Sequence, residues 1–334
     1  MTENVSIIGG GAWGTAIAKS LADCGHNVLI WAAEKHVVTD INRSHENKTF
    51  LPGISLPENL KATHTLDDLT SHAKVVFSVC PAPYTTEIAA SLSASITDEH
   101  TVVVCSKGFR ESDGALLTDV WTEACAKLSR IAVFTGPSFA AEVAVGKPTC
   151  ILLASRKQAV IDQVNDLFTR NVMRLYFSDD MIGAQIGGAV KNVIAIAAGI
   201  ADGLELGHNV RAALIARGIA EMGRYGAALG GKAETLSGIA GLGDVVLTAT
   251  SEQSRNFRFG QRLGRGTPVA EAVKMDGKVV EGVKASRIVT VQAAGRGIDL
   301  PIIMSTDGIL NGDIAAAEAI ALLLERPRVK EFTE

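Results

Sequence analysis

The segment 5–34 constrains the fold of this chain more than any other, because it places several structural signals within thirty residues. Residues 5–8 form a short run rich in β-branched side chains, which is typical of a buried parallel strand. A glycine-rich turn follows, and the next residues predict a helix at 12–23 and a second strand at 27–31. Gly25 stands where a glycine commonly ends a helix. The segment therefore predicts the first βαβ unit of an α/β fold.

The turn contains Gly9, Gly11 and Gly14, which fit the frame G-x-G-x-x-G. In that frame the first glycine permits a tight turn, the second lets a diphosphate approach the backbone, and the third lets the helix pack on the strand. The first turn of the helix would present free N–H groups and a positive dipole end to the diphosphate. Glu34 lies twenty residues after Gly14, where an acid can accept hydrogen bonds from an adenosine ribose. The pattern predicts a dinucleotide-binding turn, although the glycines alone would also suit a structural turn in another α/β protein.

The composition narrows the class of protein. At 334 residues the chain is long enough for two domains with full cores. A net charge of −4 argues against a nucleic-acid-binding protein. The five cysteines form no CxxC pair, and no cationic segment followed by an apolar stretch opens the chain. We therefore expect a cytoplasmic protein without a disulfide framework.

Segment 181–201 has the length and apolar character of a membrane span but carries one charge, Lys191, at its centre. A central lysine is costly in lipid, and the glycines and alanines around it suit close packing of helices. We expect a buried core helix and no membrane span.

Short apolar runs and helical stretches alternate through the first half of the chain. This alternation implies parallel strands with right-handed crossovers, that is, a doubly wound sheet. From about residue 182 the strand-like runs disappear and alanine- and glycine-rich helical stretches follow. We therefore predict a dinucleotide-binding domain at 1–181 and an all-helical substrate domain at 182–330, with 155–181 as the join. Further strands are predicted at 74–80, 101–105, 131–134 and 150–154, and long helices at 182–200, 210–229, 253–264, 280–296 and 313–325.

Lys191 is a candidate for acid–base chemistry because it lies in an otherwise uncharged helix. Burial would disfavour the charged form and lower its pKa, which suits proton exchange with a substrate oxygen near neutral pH. The alternative is a lysine whose stem covers apolar surface while its amine reaches water. The adjacent Asn192 would either serve the same site or fill a packing gap.

Ser254, Arg255 and Asn256 form a candidate phosphate site, since the arginine fork matches phosphate oxygens and its neighbours add neutral hydrogen bonds. A solvated helix face is the simpler interpretation of three further arginines at helical spacing, Arg258, Arg262 and Arg265.

Loops after the predicted strands supply more candidates, because ligands of such sheets bind beyond the carboxyl ends of the strands. Lys107 follows strand 101–105 and would face that region, unless it is an ordinary solvated turn lysine. Loop 135–139 offers backbone N–H groups and a hydroxyl, or is only a crossover loop. Asp244 and Thr248 lie one helical turn apart and would bind substrate hydroxyls, although Asp244 equally suits a helix cap. No metal site is predicted, since no His/Asp/Glu cluster has ligand spacing.

Taken in order, these motifs closely resemble NAD(P)-dependent glycerol-3-phosphate dehydrogenase of the bacterial type. The resemblance covers nearly the whole chain in the blocks IGGGAWGTA, SKGF, TGPSFA, GGAVKNVIAIAAG, GLGDVVLT, SRNFRFG and VVEG. It implies a Rossmann-type doubly wound parallel sheet followed by an all-α domain like the carboxy-terminal domain of 6-phosphogluconate dehydrogenase. It also implies reversible NAD(P)H-dependent reduction of dihydroxyacetone phosphate to sn-glycerol 3-phosphate, for phospholipid synthesis, without a metal. A homodimer is expected, because the glycine-rich helical domain could readily bury an interface.

The resemblance also implies roles for individual residues. Lys191 takes the catalytic acid/base position, and Arg255 holds the substrate phosphate. The other substrate-binding residues would be Lys107, Gly136, Ser138, Asn192, Asp244, Thr248, Ser254 and Asn256. The cofactor-binding residues would be Gly9, Gly11, Trp13, Gly14, Glu34, Lys107, Ala140, Arg255, Val279 and Glu281.

Glu34 is a departure from the family pattern. Members that favour NADPH often carry a basic residue just after the second strand, whereas this chain has Ala32, Ala33 and Glu34. An acid there should repel a 2′-phosphate. We therefore predict better use of NADH than those members show, unless Glu34 points to solvent.

Two other functions stay open. A β-hydroxyacid or 6-phosphogluconate-type dehydrogenase shares the two-domain plan and a lysine on a helix, but typically has an asparagine four residues after the lysine, where this chain has Ala195. A non-catalytic nucleotide-binding protein would retain the fold without needing Lys191 or the 254–256 group.

Overall fold

The computed structural model describes residues 2–168, 173–276, 280–328 and 330–331. By packing, the chain forms two compact units. The first comprises the chain up to Gly188 together with Gly226–Asp244, and the second comprises Ala189–Tyr225 and the chain from Val245. These units do not coincide with a single boundary at residue 181, because 226–244 packs with the first unit. The division by function into a cofactor domain and a substrate domain stays a prediction.

The first unit is built on one sheet. Most of its strands follow the short apolar runs of the sequence, but the strand Leu60–Thr63, with the sequence LKAT, was not predicted. The strands are β1 (Asn4–Ile8), β2 (Asn27–Trp31), β3 (Leu60–Thr63), β4 (Val75–Ser78), β5 (Thr101–Val104), β6 (Arg130–Thr135), β7 (Thr149–Ala154) and β8 (Met173–Ser178). Their order in the described residues is β3-β2-β1-β4-β5-β6-β7-β8. The predicted doubly wound parallel sheet is confirmed for β1 to β6.

Strand β7 differs from the expected parallel arrangement, because it pairs antiparallel with β6 while β8 pairs parallel with β7. The connection between β6 and β7 contains the helix α6 (Ala140–Ala144). Five helical residues span only about 7.5 Å, less than the roughly 20 Å of a six-residue strand. So short a helix cannot by itself return the chain along the sheet, which agrees with the observed reversal of direction.

The remaining helices of this unit cover both faces of the sheet. They are α1 (Ala12–Asp23), α2 (Lys35–Ser44), α3 (Asp67–His72), α4 (Thr85–Leu92), α5 (Leu117–Ala124), α7 (Gln158–Asp166) and, from the second segment, α10 (Ala233–Ser237). Because side chains alternate along a strand, Ile7 and Phe77 enter one core cluster while Ile8 and Val76 enter the other. Each fully buried side chain of this size contributes about 1.5–3 kcal/mol.

The second unit is helical. Helix α8 (Met181–Gly203) crosses the first of three boundaries between the units, after Gly188, and α11 (Asp244–Ala249) begins at the third, at Asp244. The other helices are α9 (Gly207–Ala228), α12 (Arg255–Gly264), α13 (Val269–Asp276), α14 (Glu281–Ala294), α15 (Pro301–Asn311) and α16 (Ala316–Leu324). Ile196, Phe259 and Leu263 lie in its largest described core cluster. The sequence predicted the long helices here but missed α13 and α15.

Helix α8 is the one helix of the described residues that is long and apolar enough to cross a membrane. Of its most apolar window, 89% is buried inside the protein, as is typical of a core helix.

Candidate functional site

The glycine turn after β1 is shaped by close backbone contacts. Gly9 has φ +117°, and a Cβ there would lie 3.0 Å from the backbone nitrogen of Cys80. A Cβ on Gly14 would overlap the carbonyl oxygen of Gly9. A Cβ on Gly11, by contrast, would meet nothing within 4 Å. The first and third glycines are therefore required by the fold, while the second leaves open space at the start of α1.

This turn fits a dinucleotide. Gly11 is the N-cap residue of α1 and supplies no side chain to that helix end, so the amino-terminal dipole faces the open space. The Nε1 atom of Trp13 is buried with no hydrogen-bond partner in the described residues. Ala140 is the first residue of α6, next to the loop after β6. Open space, a helix end and an orphaned N–H donor are features that a diphosphate-containing cofactor can use.

Asn47 holds the turn and was missed in the sequence. Its side chain is fully buried, and Nδ2 donates to the carbonyl oxygen of Gly10 and to Oγ1 of Thr15, both at 2.8 Å. Its Oδ1 accepts from the N–H of Phe50. Asn47 lies in the loop after α2, and no periodicity or spacing in the sequence indicated its contact with the turn.

Glu34 follows β2 and is the N-cap residue of α2, with an exposed side chain that does not cap the helix. Its position at the carboxyl end of the strand beside β1 is the one that the sequence predicted. Where its carboxylate points relative to a bound cofactor stays a prediction.

Lys107 forms a largely buried ion pair with Asp244. Its Nζ lies 2.6 Å from Oδ2 of Asp244 and donates to the carbonyl oxygen of Gly136 at 3.2 Å. The Asp244 side chain is fully buried and that of Lys107 is 16% exposed, so Lys107 is not the solvated turn lysine that was one interpretation. Ser138 Oγ donates to the same Gly136 oxygen at 3.0 Å. The first unit thus gathers four predicted substrate residues.

Gly136 and Thr135 complete this group. Gly136 has φ +153°, and a Cβ there would lie 3.0 Å from the carbonyl oxygen of Cys150. Thr135 Oγ1 is buried with no hydrogen-bond partner in the described residues. A Cβ on Gly188 would come within 3.0 Å of that hydroxyl and 3.2 Å of Lys107 Cγ. The sequence predicts Thr135 only as the start of a loop, whereas it is the last residue of β6, and no sequence pattern indicates the environment of its hydroxyl.

Lys191 lies in the second unit with little exposure. Its side chain is on α8, the residue is 8% exposed, and Nζ donates to Oγ1 of Thr248 at 3.0 Å. Thr248 itself is 4% exposed. The amine is therefore held in a polar contact inside the protein instead of extending to bulk water.

Asn192 belongs to a chain of amide hydrogen bonds. Its Oδ1 accepts from Nδ2 of Asn256 at 2.9 Å, and its own Nδ2 donates to Oε2 of Glu281 at 3.3 Å. Asn256 Oδ1 accepts from the N–H of Gly282 at 3.2 Å, in the first turn of α14. The structure thus brings together three predicted site residues. Their hydrogen bonds to one another already orient the two amide side chains, so these contacts do not by themselves require a ligand.

The amino-terminal end of α12 carries the predicted phosphate group. Ser254 Oγ accepts from the N–H of Phe257 at 3.2 Å and caps the helix. Arg255 is the first helical residue and is exposed. An exposed guanidinium at a capped helix start suits an anion, because the dipole and the fork both favour negative charge. Val279, the remaining predicted cofactor residue, lies outside the described residues.

The family models match both halves of the chain. The amino-terminal model of NAD-dependent glycerol-3-phosphate dehydrogenase matches residues 4–161, and the carboxy-terminal model matches residues 180–321. The chain belongs to the NAD-dependent glycerol-3-phosphate dehydrogenase family. It is therefore an NAD(P)-dependent oxidoreductase of this class.

Individual relatives agree with this membership. The chain is 46% identical over 327 residues to glycerol-3-phosphate dehydrogenase (NAD(P)+) of Erythrobacter litoralis, covering 98% of this chain and 97% of that one. It is 43% identical to the protein of the same name from Rhodospirillum rubrum, covering 97% and 93% of the two chains. Its structure is similar to that of glycerol-3-phosphate dehydrogenase from Coxiella burnetii, with a TM-score of 0.91 at 38% identity, over 97% of this chain and 99% of that one.

Proposed function

We propose that the chain catalyses the reversible reduction of dihydroxyacetone phosphate to sn-glycerol 3-phosphate with NAD(P)H. Family membership supports the reaction, and one observation carries the chemistry, which is the buried Lys191 held at 3.0 Å by Thr248. A buried amine fixed in this way can deliver a proton to one oxygen of a bound ketone.

Lys191 is the proposed acid and base. NAD(P)H, when bound, supplies the hydride for the ketone carbon. As negative charge grows on the ketone oxygen, the Lys191 ammonium stabilises it and then transfers a proton to it. In the reverse direction the neutral amine accepts the proton from the hydroxyl. Thr248 fixes the side-chain rotamer of the lysine, so little reorientation is needed during the step.

Arg255 is the proposed phosphate anchor, with Ser254 and Asn256 beside it. The phosphate is remote from the reacting carbon, so its binding energy can orient the ketone without taking part in bond changes. An exposed arginine at the start of α12 can form the bidentate contact that a phosphate accepts.

Lys107 and Asp244 are proposed to bind the rest of the substrate, with Gly136, Ser138, Asn192 and Thr248. The Asp244 carboxylate directs the Lys107 ammonium toward the Gly136 carbonyl, so both charged groups are oriented before any ligand arrives. A preorganised pair of this kind costs less to align in the transition state.

The cofactor is proposed to lie at the turn after β1, and the predicted domains assign its binding to 1–181 and that of the substrate to 182–330. The residues proposed to hold it are Gly9, Gly11, Trp13, Gly14, Glu34, Lys107, Ala140, Arg255, Val279 and Glu281. We further propose a cytoplasmic homodimer that supplies phospholipid synthesis and contacts neither nucleic acid nor membrane. Light scattering that gives twice the 35.0 kDa chain mass would support the dimer.

The test is NADH oxidation with dihydroxyacetone phosphate in the wild type and in Lys191→Ala, with the exposed Lys61→Ala as the matched control. We expect activity in the wild type and in the control, and a loss of at least about 10³-fold in kcat for Lys191→Ala. A wild type that binds NADH but does not oxidise it with this substrate would refute the assignment.

The 6-phosphogluconate-type alternative has less support. Ala195, which stands where those enzymes typically carry an asparagine, is fully buried in the protein core. Assaying 6-phosphogluconate beside dihydroxyacetone phosphate tests this alternative directly.

A further inference from the structure

Helices α8 and α12 meet through glycines on both sides. Each helix carries a pair four residues apart, Gly199 and Gly203 on α8 and Gly260 and Gly264 on α12. A Cβ on Gly199 would overlap the carbonyl oxygen of Phe257 and lie 3.0 Å from the Cα of Gly260. The backbones of the two helices are thus in direct contact at this point.

The contact is reciprocal along its length. A Cβ on Gly260 would overlap the carbonyl oxygen of Ile196 and lie 3.0 Å from the Cα of Gly199. One on Gly264 would overlap the carbonyl oxygen of Ile200 and lie 2.9 Å from the Cα of Gly203. Glycine weakens a helix relative to alanine, so four glycines at one crossing need a reason in the packing. We call this contact of Gly199, Gly203, Gly260 and Gly264 the glycine seam.

The glycine seam lies on the same two helices as the predicted catalytic and phosphate-binding residues. On α8, Asn192 lies on the same face as Gly199 and Gly203, at helical spacing. On α12, Asn256 lies one turn before Gly260, and its amide donates to Asn192 at 2.9 Å. Lys191 adjoins the first asparagine and Arg255 adjoins the second. The proton donor and the phosphate anchor therefore stand on two helices whose separation is set by backbone contact.

We propose that the glycine seam positions Arg255 relative to Lys191, so that its four glycines are positioning residues for the reduction of a phosphorylated ketone. This inference rests on the proposed function. A phosphate held at one end of the substrate aligns the ketone at the other end only when the distance between anchor and acid is fixed. Flexible side chains at the crossing would let α12 shift, whereas contact between two backbones leaves no such freedom.

An alanine in the seam changes that distance by a predictable amount. A Cβ at position 260 would overlap the carbonyl oxygen of Ile196, so the crossing must widen by at least about 1.2 Å before ordinary contact distance is reached. A misplacement of about 1 Å can cost on the order of 10²-fold in rate. The loss in rate applies to a substrate that contacts both Arg255 and Lys191. A substrate that contacts Lys191 alone is not affected.

The experiment compares dihydroxyacetone phosphate with dihydroxyacetone, which has the same ketone and no phosphate, in wild type, Gly260→Ala and Gly199→Ala. We expect kcat/KM for dihydroxyacetone phosphate to fall about 30-fold or more, and kcat/KM for dihydroxyacetone to fall less than about threefold. The ratio of the two values should therefore drop about tenfold. Gly223→Ala is the matched control, since it lies in helix α9 and its Cβ would meet nothing within 4 Å. Its ratio should equal that of the wild type.

Each other outcome overturns the inference. Equal losses in kcat/KM for both substrates would mean that the glycines have only a structural role. Unchanged kinetics would show that the crossing does not set the distance between Arg255 and Lys191. If Gly260→Ala and Gly199→Ala fail to fold, Gly264→Ala takes their place, because Gly264 is the last residue of α12 and a Cβ there still forces the crossing apart at one end only. A wild type inactive on dihydroxyacetone phosphate would refute the proposed function and this inference together. If the wild type is active and the variants keep its ratio of the two kcat/KM values, the positioning role of the glycine seam is refuted and the proposed function is not.

Discussion

The Nζ atom of Lys107 lies 2.6 Å from Oδ2 of Asp244, although the two residues are 137 positions apart in the chain. Asp244 is fully buried, and Lys107 also donates to Gly136. A buried ion pair contributes little net stability, because desolvation of both charges offsets their attraction. Its value here is orientation, since each partner fixes the direction of the other.

Replacing Lys107 should lower the free energy of unfolding more than replacing Asp244. Lys107→Met leaves the buried Asp244 carboxylate without its ammonium, and we expect a loss of about 3–5 kcal/mol in the free energy of unfolding. Asp244→Asn keeps the shape and leaves a lysine that can turn toward water, so we expect a loss of about 1–2 kcal/mol. Urea denaturation of the two variants measures the difference. Equal losses would contradict the expectation that the buried carboxylate depends on the ammonium more than the ammonium depends on the carboxylate.

Replacing glycine by alanine should have different effects at two positions of the glycine turn. Gly14→Ala places a Cβ against the carbonyl oxygen of Gly9, so we expect the fold itself to be destabilised. Gly11→Ala enters open space at φ −71°, where alanine is unstrained, so Tm should change by less than about 2 °C. The dissociation constant for NADH should nevertheless rise at least about tenfold, because the methyl group occupies the approach to the helix end. Thermal unfolding and NADH fluorescence titration separate the two effects, and unchanged NADH affinity in Gly11→Ala would place the cofactor elsewhere.

The order of strand, turn and helix in this region was predictable because it depends on local signals within thirty residues. Asn47 was not, because its role comes from a hydrogen bond to Gly10 that links residues 37 positions apart. The antiparallel β7 was missed for a related reason. Its apolar run indicates a strand, but the direction depends on the length of α6, which the sequence does not mark by composition.

In the helical unit, residue types were easier to predict than their contacts. Lys191, Asn192 and Asn256 were candidates by chemistry, yet the amide chain between the asparagines needs two helices in register. The glycine seam was also missed, although both pairs have the spacing G-x-x-x-G. The sequence predicts close helix packing around the glycines of α8, but only the structure shows that α12 is the helix they contact.

Glu34 is expected to set the preference between the two cofactors. Its exposed carboxylate stands at the carboxyl end of β2, so it should repel a 2′-phosphate and accept hydrogen bonds from a ribose. We expect Glu34→Ala to raise the ratio of kcat/KM for NADPH to that for NADH by about tenfold. The control is Glu58→Ala, which removes an exposed charge elsewhere in the same unit. A ratio equal to that of the wild type would exclude Glu34 as a determinant.

Glu221 is a buried carboxylate that serves as a helix cap. Its two oxygens accept from the N–H groups of Ile302 and Ile303 at 2.8 and 3.0 Å, at the start of α15. Burial raises the pKa of Glu221 to about 7, while these two hydrogen bonds act in the opposite direction. This contact also explains why α15 was difficult to predict, since the residue that caps it lies about eighty positions earlier in the chain.

The raised pKa of Glu221 predicts how stability depends on pH. The pKa is about 4.5 in the unfolded chain and about 7 in the folded one, so the folded state binds the extra proton. Stability from this group is therefore complete below pH 4.5 and is lost as pH rises through 7, by about 3 kcal/mol in total. Glu221→Gln cannot ionise and should flatten the decline in unfolding free energy between pH 5 and pH 8. Urea denaturation of both proteins across that range measures the slope. Parallel curves would show that the two N–H donors and the helix dipole keep the carboxylate ionised in the folded protein despite its burial.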